Sequence, residues 1–222
     1  MTIDFAHIRA RAEDRKGGPE ALLALLPPPR LRDLSTVPDS EILSRFAQHI
    51  FSAGFVWRVV EAKWPGTTEA FGGFDLDHVA SLDDEGIGAL AEDTRLVRNR
   101  QKIVATVQNA RWMREMAHEH GSFGAWLQAW PEDDPVGLWT ALAKDGKRLG
   151  GNTGPYTLRG LGKDTFMLTD SVTRALTEDG VMTAKATSKT GRRQAQEAFI
   201  AWKDETGLPF ATLSRIVAYS VP

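Results

Sequence analysis

The sequence predicts an all-α protein. Apolar residues recur at steps of three and four, the spacing that places them on one buried face of a helix. The alternation of apolar and polar residues that marks a half-buried strand is almost missing, and proline, glycine and acidic turns separate the helical segments. The two clearest stripes are Leu43, Phe46, Ala47, Ile50, Phe51 and Gly54, and then Ile103, Val107, Ala110 and Met113.

Taken in order, the chain begins with a short amphipathic helix that ends at the linker-like LLPPPRL, residues 25–31. We expect an N-terminal helical extension over residues 1–30 and a helical domain of discontinuous subdomains over residues 31–222. Residues 40–64 predict one long helix capped by Asp39 and Ser40, and residues 64–75 predict a loop. Further helices are predicted in LDHVASL, DDEGIGALAED, RNRQKIVATVQNARWMREMAHEH, FGAWLQAW, DPVGLWTALAKDGKRL, SVTRALTEDG, RRQAQEAFIAWKDETG and PFATLSRIVAYSV.

Composition narrows the possible functions. No apolar run is long enough to cross a membrane, and the charged N-terminus does not resemble a secretory signal, so we expect a cytoplasmic protein. Cysteine is absent, which excludes disulfides, a thiol nucleophile and thiolate metal sites. The five histidines are scattered, and two of them in HEH at 118–120 point away from each other on a helix, so no zinc site is expected.

The charges are segregated although the net charge is only −2. Basic residues concentrate in three places, and one of these leads directly into a glycine-rich stretch. Each cluster alone is explained by a solvated face, but together they favour a basic surface that could meet a polyanion. The three clusters are Arg95, Arg98, Arg100 and Lys102; Lys144, Lys147 and Arg148; and Lys185, Lys189, Arg192 and Arg193.

The glycine-rich stretch is LGGNTGPYTLRGLG, residues 149–162. It is either an ordinary interhelical loop or a hairpin whose glycines let backbone N–H groups approach a phosphate at the start of the next helix. Asp170 lies thirteen residues after Thr157. It follows the apolar FML and one threonine, at the start of another amphipathic helix. Asp170 is therefore either an N-cap or a carboxylate placed for chemistry.

Residues 149–176 resemble the helix–hairpin–helix motif and trailing aspartate of the base-excision DNA glycosylase superfamily. The resemblance implies that Asp170 is catalytic and that the hairpin binds DNA. Gly150 replaces the usual proline, one residue is inserted near Asn152, and the stretch to Asp170 is about one helical turn short. The DNA-binding residues implied are Lys147, Arg148, Gly151, Asn152, Thr153, Gly154, Tyr156 and Thr157.

The middle of the chain contains FSAGFVWRVV and, further on, FGGFDLDHVASLDDEGIGALAEDTRLVRNRQKIVATVQNARWM. This stretch of about 75 residues is similar to DNA-3-methyladenine glycosylase I. Its FSAGFVWRVV resembles the family's base-pocket segment, and the resemblance implies a base pocket of His49, Phe51, Phe55 and Trp57. Trp57 has a second interpretation, as a continuation of the buried stripe. The family's pocket glutamate falls on His49, and a neutral histidine accepts a hydrogen bond through only one nitrogen. The matching pattern residues are Leu90, Asp93, Leu96, Val97, Arg98, Arg100, Lys102, Ile103, Ala105, Asn109 and Ala110.

Together, these resemblances imply a monofunctional DNA glycosylase that removes an alkylated purine such as 3-methyladenine after base flipping. Tyr156 stands where some relatives carry a Schiff-base lysine, so hydrolysis without backbone cleavage is expected. We expect a nucleoid-associated monomer that acts on double-stranded DNA without zinc or another cofactor; a monovalent cation at the hairpin carbonyls is left open. Two alternatives remain: a DNA-binding relative that has lost catalysis, and an all-α protein-interaction module.

Overall fold

The computed structural model describes residues 4–26 and 28–222, and across them every regular element is a helix, which confirms the all-α prediction. Pro27, in the predicted linker, lies outside the described residues. No helix of the described part is long and apolar enough to cross a membrane. The chain forms two compact units: a central unit, Arg32–Trp130 with Trp139–Lys163, and a terminal unit, which contains the N-terminal residues up to Leu31, Pro131–Leu138 and Asp164–Pro222.

The terminal unit is built around a cluster of aromatic rings. Phe166 stacks on Phe199 with ring centroids 4.3 Å apart, and Trp202 connects Phe199 to Phe5 of the first helix. The N-terminal helices therefore pack as part of this unit, whereas the domain boundary predicted near residue 30 stays a prediction. The helices are α1 (Phe5–Lys16), α2 (Pro19–Ala24), α11 (Asp170–Glu178), α12 (Lys189–Thr206) and α13 (Phe210–Tyr219).

The central unit is organised by one long helix, α7, which packs against four other helices, α3, α5, α6 and α8. Its predicted apolar stripe, from Ile103 to Met113, is fully buried. One further helix, α9 (Pro135–Asp145), begins in the terminal unit and ends in the central unit. The central helices are α3 (Asp39–Ser52), α4 (Trp57–Ala70), α5 (Leu76–Ser81), α6 (Asp84–Glu92), α7 (Arg100–His120), α8 (Phe123–Ala129) and α10 (Thr153–Leu161).

The single helix predicted over residues 40–64 is wrong, because the chain breaks after Ser52 and restarts at Trp57. Ala53 is extended, and Gly54 adopts φ +74°, a left-handed conformation that glycine tolerates and that ends a helix. Gly54 is exposed and therefore does not belong to the buried stripe. The break separates two helices and leaves a short segment, residues 53–56, between them.

The loop predicted over residues 64–75 is also wrong in its first half, because α4 continues through Pro65 to Ala70. Proline removes one helical hydrogen bond, but packing on both sides compensates for this loss. The Trp64 ring stacks on Phe74 with centroids 5.6 Å apart, and Thr67 is buried.

Asp39 does not cap its own helix as predicted; the N-cap position of α3 is Pro38. The Asp39 carboxylate instead accepts hydrogen bonds from the backbone N–H groups of Phe123 and Gly124, at 3.0 and 3.1 Å. It therefore caps α8, a helix more than 80 residues away in sequence, where it meets the positive end of the helix dipole.

We expect Gly124→Ala to destabilise the protein by about 1–3 kcal/mol, because a methyl group there overpacks the core. A Cβ at this position would lie 2.1 Å from the carbonyl oxygen of Leu34. The backbone N–H of Leu34 donates to Oε1 of Gln128 at 2.9 Å, which holds Leu34 in place. Chemical denaturation monitored by circular dichroism measures the change in unfolding free energy.

Gly88→Ala is the matched control, since Gly88 is also helical but its added Cβ meets nothing closer than 3.9 Å. We expect this variant to gain about 0.5–1 kcal/mol from the higher helix propensity of alanine. Equal effects at the two positions would contradict the packing argument.

Candidate functional site

The segment between α3 and α4 exposes large apolar side chains. Phe55 and Trp57 are 46% and 40% exposed, and Val56 and Val59 beside them are also exposed. Large apolar side chains that are exposed close together in the chain are candidates for a binding surface. Trp57 opens α4 and does not continue the buried stripe, which excludes its second interpretation.

His49 lies on the last turns of α3, beside this patch. Its ring centroid is 5.7 Å from that of Trp57, and its Nε2 lies 3.5 Å from the position of a Cβ on Gly160 in α10. Burial, assisted by the positive charge of Arg45, lowers the pKa of His49 to about 4. At neutral pH the imidazole is therefore uncharged, with one donor and one acceptor nitrogen.

Phe51 does not reach the patch. Its side chain is fully buried and packs edge-on against the rings of Trp64 and Phe71. A side chain without exposed surface does not contact a base, so this predicted pocket residue belongs to the core. The helical period explains this, because Phe51 continues the buried stripe of Phe46 and Ala47.

Lys102, which the sequence grouped with a basic surface cluster, is buried on α7. Its Nζ donates to the carbonyl oxygens of Phe51 and Ala53, at 2.9 and 2.7 Å, and lies 4.4 Å from the centre of the Phe55 ring. A cation at the C-terminus of α3 is stabilised by the unpaired carbonyls and by the helix dipole. Burial, and then the charge of Arg148, lower the pKa of Lys102. Lys102 therefore fixes the place where α3 ends and the exposed segment begins.

The predicted hairpin lies in the turn between α9 and α10. A side chain of α7 holds the backbone of this turn in place. Asn109 is fully buried; its Oδ1 accepts the backbone N–H of Lys147 at 2.7 Å, and its Nδ2 donates to the carbonyl of Lys147 at 3.0 Å. Arg148 follows with φ +61°, an uncommon backbone conformation for a side chain of this size. With the Lys147 backbone held in this way, both cationic side chains are exposed.

The turn leaves fewer backbone N–H groups free than the sequence suggested. The N–H groups of Thr153 and Gly154 donate to the carbonyls of Gly150 and Leu149 within the turn, at 3.3 and 3.1 Å. Gly151 and Asn152 are exposed and remain suitable donors for an anion. Gly151 has φ +61°, which glycine accepts without strain.

Two of the predicted DNA-binding residues instead support the turn. Gly154 is buried, and it packs so closely that a Cβ there would lie 2.7 Å from the carbonyl oxygen of Leu149. Thr157 is also buried, and its hydroxyl donates to the carbonyl of Thr153 at 2.8 Å. Tyr156 is 43% exposed and stays available for contact.

Asp170 is the first residue of α11, in the terminal unit, and its side chain is exposed. The N-cap is Thr169, whose Oγ1 accepts the backbone N–H of Val172 at 3.3 Å. The capping interpretation of Asp170 is therefore wrong. The Asp170 carboxylate makes no hydrogen bond with the described residues. Its structural contribution is therefore limited to a weak interaction with the dipole of α11.

Residues 36–144 match the family model described as methyladenine glycosylase. This segment is similar to the methyladenine glycosylase family. It includes α3, the exposed segment, α4 and the whole of α7, and it ends before the glycine turn and Asp170. The pocket region and α7 therefore carry the family's pattern.

Two solved structures show that the all-α fold is shared with 3-methyladenine DNA glycosylase I. One is a single-residue variant of that enzyme in complex with 3-methyladenine; it is 21% identical, covers 60% of this chain and 82% of its own, and has a TM-score of 0.52. The other is a variant from Staphylococcus aureus; it is 19% identical, covers 68% of this chain and 90% of its own, and has a TM-score of 0.50.

The sequence analysis named Lys102 as part of a basic cluster and of the family pattern, and Asn109 as part of the family pattern, but it missed their hydrogen-bonded roles. A signal was available: Lys102, Thr106 and Asn109 follow one another at steps of four and three, directly beside the buried stripe. Polar residues at the helical period of a buried face predict specific hydrogen-bonded partners, since burying them alone is costly.

We expect acid to destabilise the protein partly through His49. Between its folded pKa of about 4 and its unfolded value near 6.5, the unfolded chain binds more protons, so stability falls as pH decreases through this range. Allowing for solvent screening of a half-buried ring, His49 contributes a loss of about 1–2 kcal/mol between pH 7 and 4.5. Urea unfolding at several pH values measures it.

His49→Gln should lack this part of the pH dependence. His118→Gln, which changes an exposed histidine of α7, should keep the wild-type dependence. If the unfolding free energy of both variants depends on pH as that of the wild type does, His49 is not the group responsible for the loss of stability in acid.

We expect Lys102→Met to lower the unfolding free energy by about 1–3 kcal/mol, because a buried carbonyl loses its partner. The backbone amides of residues 53–57 should also exchange faster with deuterium, since the end of α3 is released. Lys63→Met removes a lysine–carbonyl bond of 2.6 Å, to Thr94, but at the surface. That control should change the unfolding free energy by less than about 1 kcal/mol and leave the deuterium exchange of residues 53–57 unaltered. Equal exchange rates at these residues in both variants would refute the positioning role of Lys102.

Proposed function

We propose that the chain is a base-excision-repair DNA glycosylase that hydrolyses the N-glycosidic bond of an alkylated purine such as 3-methyladenine. One observation carries this proposal: the segment that matches the methyladenine glycosylase family folds so that Phe55 and Trp57 are exposed beside His49. A similar solved structure holds 3-methyladenine, which supports a purine as the ligand.

The damaged nucleotide must leave the stack to be reached, at a cost of a few kcal/mol. In the proposal Trp57 and Phe55 stack on the extruded base, and each such contact contributes about 1–3 kcal/mol. His49 offers one hydrogen bond to the edge of the base while remaining uncharged at neutral pH. Its neutrality avoids repulsion of a cationic alkylated purine.

The glycine turn anchors the DNA strand in this proposal. The free N–H groups of Gly151 and Asn152 face a phosphate, and Lys147 and Arg148 add charge beside them. Thr153 and Tyr156 complete the surface that the strand meets. Because Asn109 holds the Lys147 backbone, the anchor is rigid before DNA binds.

Asp170 is proposed as the catalytic carboxylate. The bond between C1′ of the sugar and the purine nitrogen breaks, and its electron pair neutralises the positive charge of the alkylated base. The carboxylate stabilises the oxocarbenium-like sugar, and a water oxygen then bonds to C1′ as its proton passes to Asp170 and on to solvent. Tyr156 occupies the position of the Schiff-base lysine in some relatives, so the reaction ends with an intact strand.

We propose double-stranded DNA as the partner of a monomer that acts near the nucleoid, and the reaction as written uses no cofactor. No cluster of three or more metal-ligating side chains occurs among residues 4–26 and 28–222. The carbonyls of Leu149, Gly150 and Asn152 already accept N–H groups inside the turn, which suits a monovalent cation poorly. No step is assigned to such an ion.

One observation favours a second candidate, a DNA-binding relative without catalysis. His49 occupies the position of the family's pocket glutamate, and a neutral imidazole lacks the negative charge that a carboxylate offers to a cationic base. Such a protein would bind damaged DNA through the same turn and release no base.

Base release from methylated duplex DNA tests the proposal. We expect the wild type to release 3-methyladenine and Asp170→Asn to be slower by about 100-fold or more, the size of effect seen when a transition-state electrostatic partner is lost. Because Asp170 is exposed and unpaired, its replacement should change the unfolding free energy by less than about 1 kcal/mol, so the loss is not one of folding.

Glu178→Gln is the matched control, since Glu178 is an exposed carboxylate on the same helix. It should retain wild-type release. DNA binding without release by the wild type supports the second candidate. Release that Asp170→Asn preserves would remove Asp170 from the mechanism.

A further inference from the structure

A basic groove of about 400 Å³ lies in the central unit, along the first turns of α7 and the turn that precedes α10. Arg100 and Arg148 line it together with Lys147, and no acidic residue does. The side-chain amides of Gln101 and Gln108 provide further polar groups. The fold therefore brings together two basic clusters that are separate in the sequence, and an anion is the ligand that suits them.

None of the cations of the groove is in a close ion pair with a described residue. Arg148 donates through Nη2 to Oε1 of Gln101 at 2.6 Å, and in the described part of the chain neither Lys147 nor Arg148 pairs with a carboxylate. Arg100 makes only a loose contact with Asp84, at 3.5 Å between exposed groups. An exposed ion pair of this kind contributes little to stability, and a phosphate can replace the carboxylate as the partner of the arginine.

The groove adjoins the exposed apolar segment through Lys102. Arg148 is close enough to Lys102 for its charge to disfavour the charged lysine. Lys102 in turn holds the carbonyls of Phe51 and Ala53 and touches the Phe55 ring. An anion in the groove would offset this repulsion between like charges, so binding there stabilises the lysine that positions the base-stacking segment.

We infer that this groove binds phosphates of the DNA strand that carries the extruded nucleotide, so that the contact surface extends from the glycine turn onto α7. The inference rests on the proposed function and adds Arg100, Gln101 and Gln108 to its binding surface. Arginine forks match the oxygens of a phosphodiester in pairs, and the glutamine amides add neutral donors. A backbone site of this kind carries affinity without reading sequence.

The test is the salt dependence of binding to a duplex that contains a tetrahydrofuran abasic site. Each phosphate contact adds about 0.9 to the slope of log affinity against log salt, so the Arg100→Gln/Arg148→Gln double variant should lower the slope by about 2. Between 50 and 200 mM salt the wild type should then lose roughly tenfold more affinity than this variant. Arg114→Gln, an exposed arginine farther along α7, should keep the wild-type slope.

Three results would overturn the inference: a wild-type slope in the double variant, an equal decrease in Arg114→Gln, or no binding of this duplex by the wild type. Titration with inorganic phosphate and with deoxyadenosine monophosphate separates a strand site from a small-anion site. If either ligand binds tightly and only that binding is lost in the double variant, the groove serves a free phosphate compound instead. Base release is a separate measurement. A decreased slope without release contradicts the proposed catalysis and leaves phosphate binding by the groove intact. Release with an unchanged slope contradicts the groove, including the phosphate contact of Arg148, and leaves the proposed catalysis intact.

Discussion

The buried polar face of α7 is the constraint on which the rest of the central unit depends. Lys102, Thr106 and Asn109 lie on one side of this helix, spaced by four and three residues, and all are inaccessible to solvent. Buried polar groups require partners, and two of these three find theirs in the backbone of other segments. Lys102 fixes the end of α3, and Asn109 fixes the turn before α10. One helix thus determines the position of both candidate binding elements.

This arrangement explains how exposed features can be rigid. The apolar segment beside Trp57 and the cationic turn at Lys147 both lie on irregular backbone, which is ordinarily the mobile part of a protein. Here each is held by a buried side chain from the same rigid helix, so neither has to be ordered at the moment of binding. The distance between them is set by two turns of α7, because residues 102 and 109 are seven positions apart.

The electrostatics of the central unit are specialised in a complementary way. An uncharged histidine, His49, lies beside Trp57, and among the described residues Arg100 is the only cation of the groove that contacts a carboxylate, at 3.5 Å. Burial keeps His49 neutral, whereas Arg148 is exposed and makes no ion pair with a carboxylate of the described residues. In the proposed function, the base therefore stacks in the same unit as a groove lined by cations, a combination that suits a nucleotide better than a free base or a protein partner.

The helical class and most of the helices could be predicted from the amino-acid sequence, because helical periodicity is a local property that needs no tertiary context. The sequence did not determine where the long predicted helix breaks or that Asp39 caps α8. Both features depend on a partner far away in the chain, the Lys102 ammonium in the first case and the Phe123 amide in the second. Which partners the buried polar residues of α7 hold, and which cations meet in one groove, depend on the tertiary structure, since distances between separate segments are a property of packing that no local pattern contains.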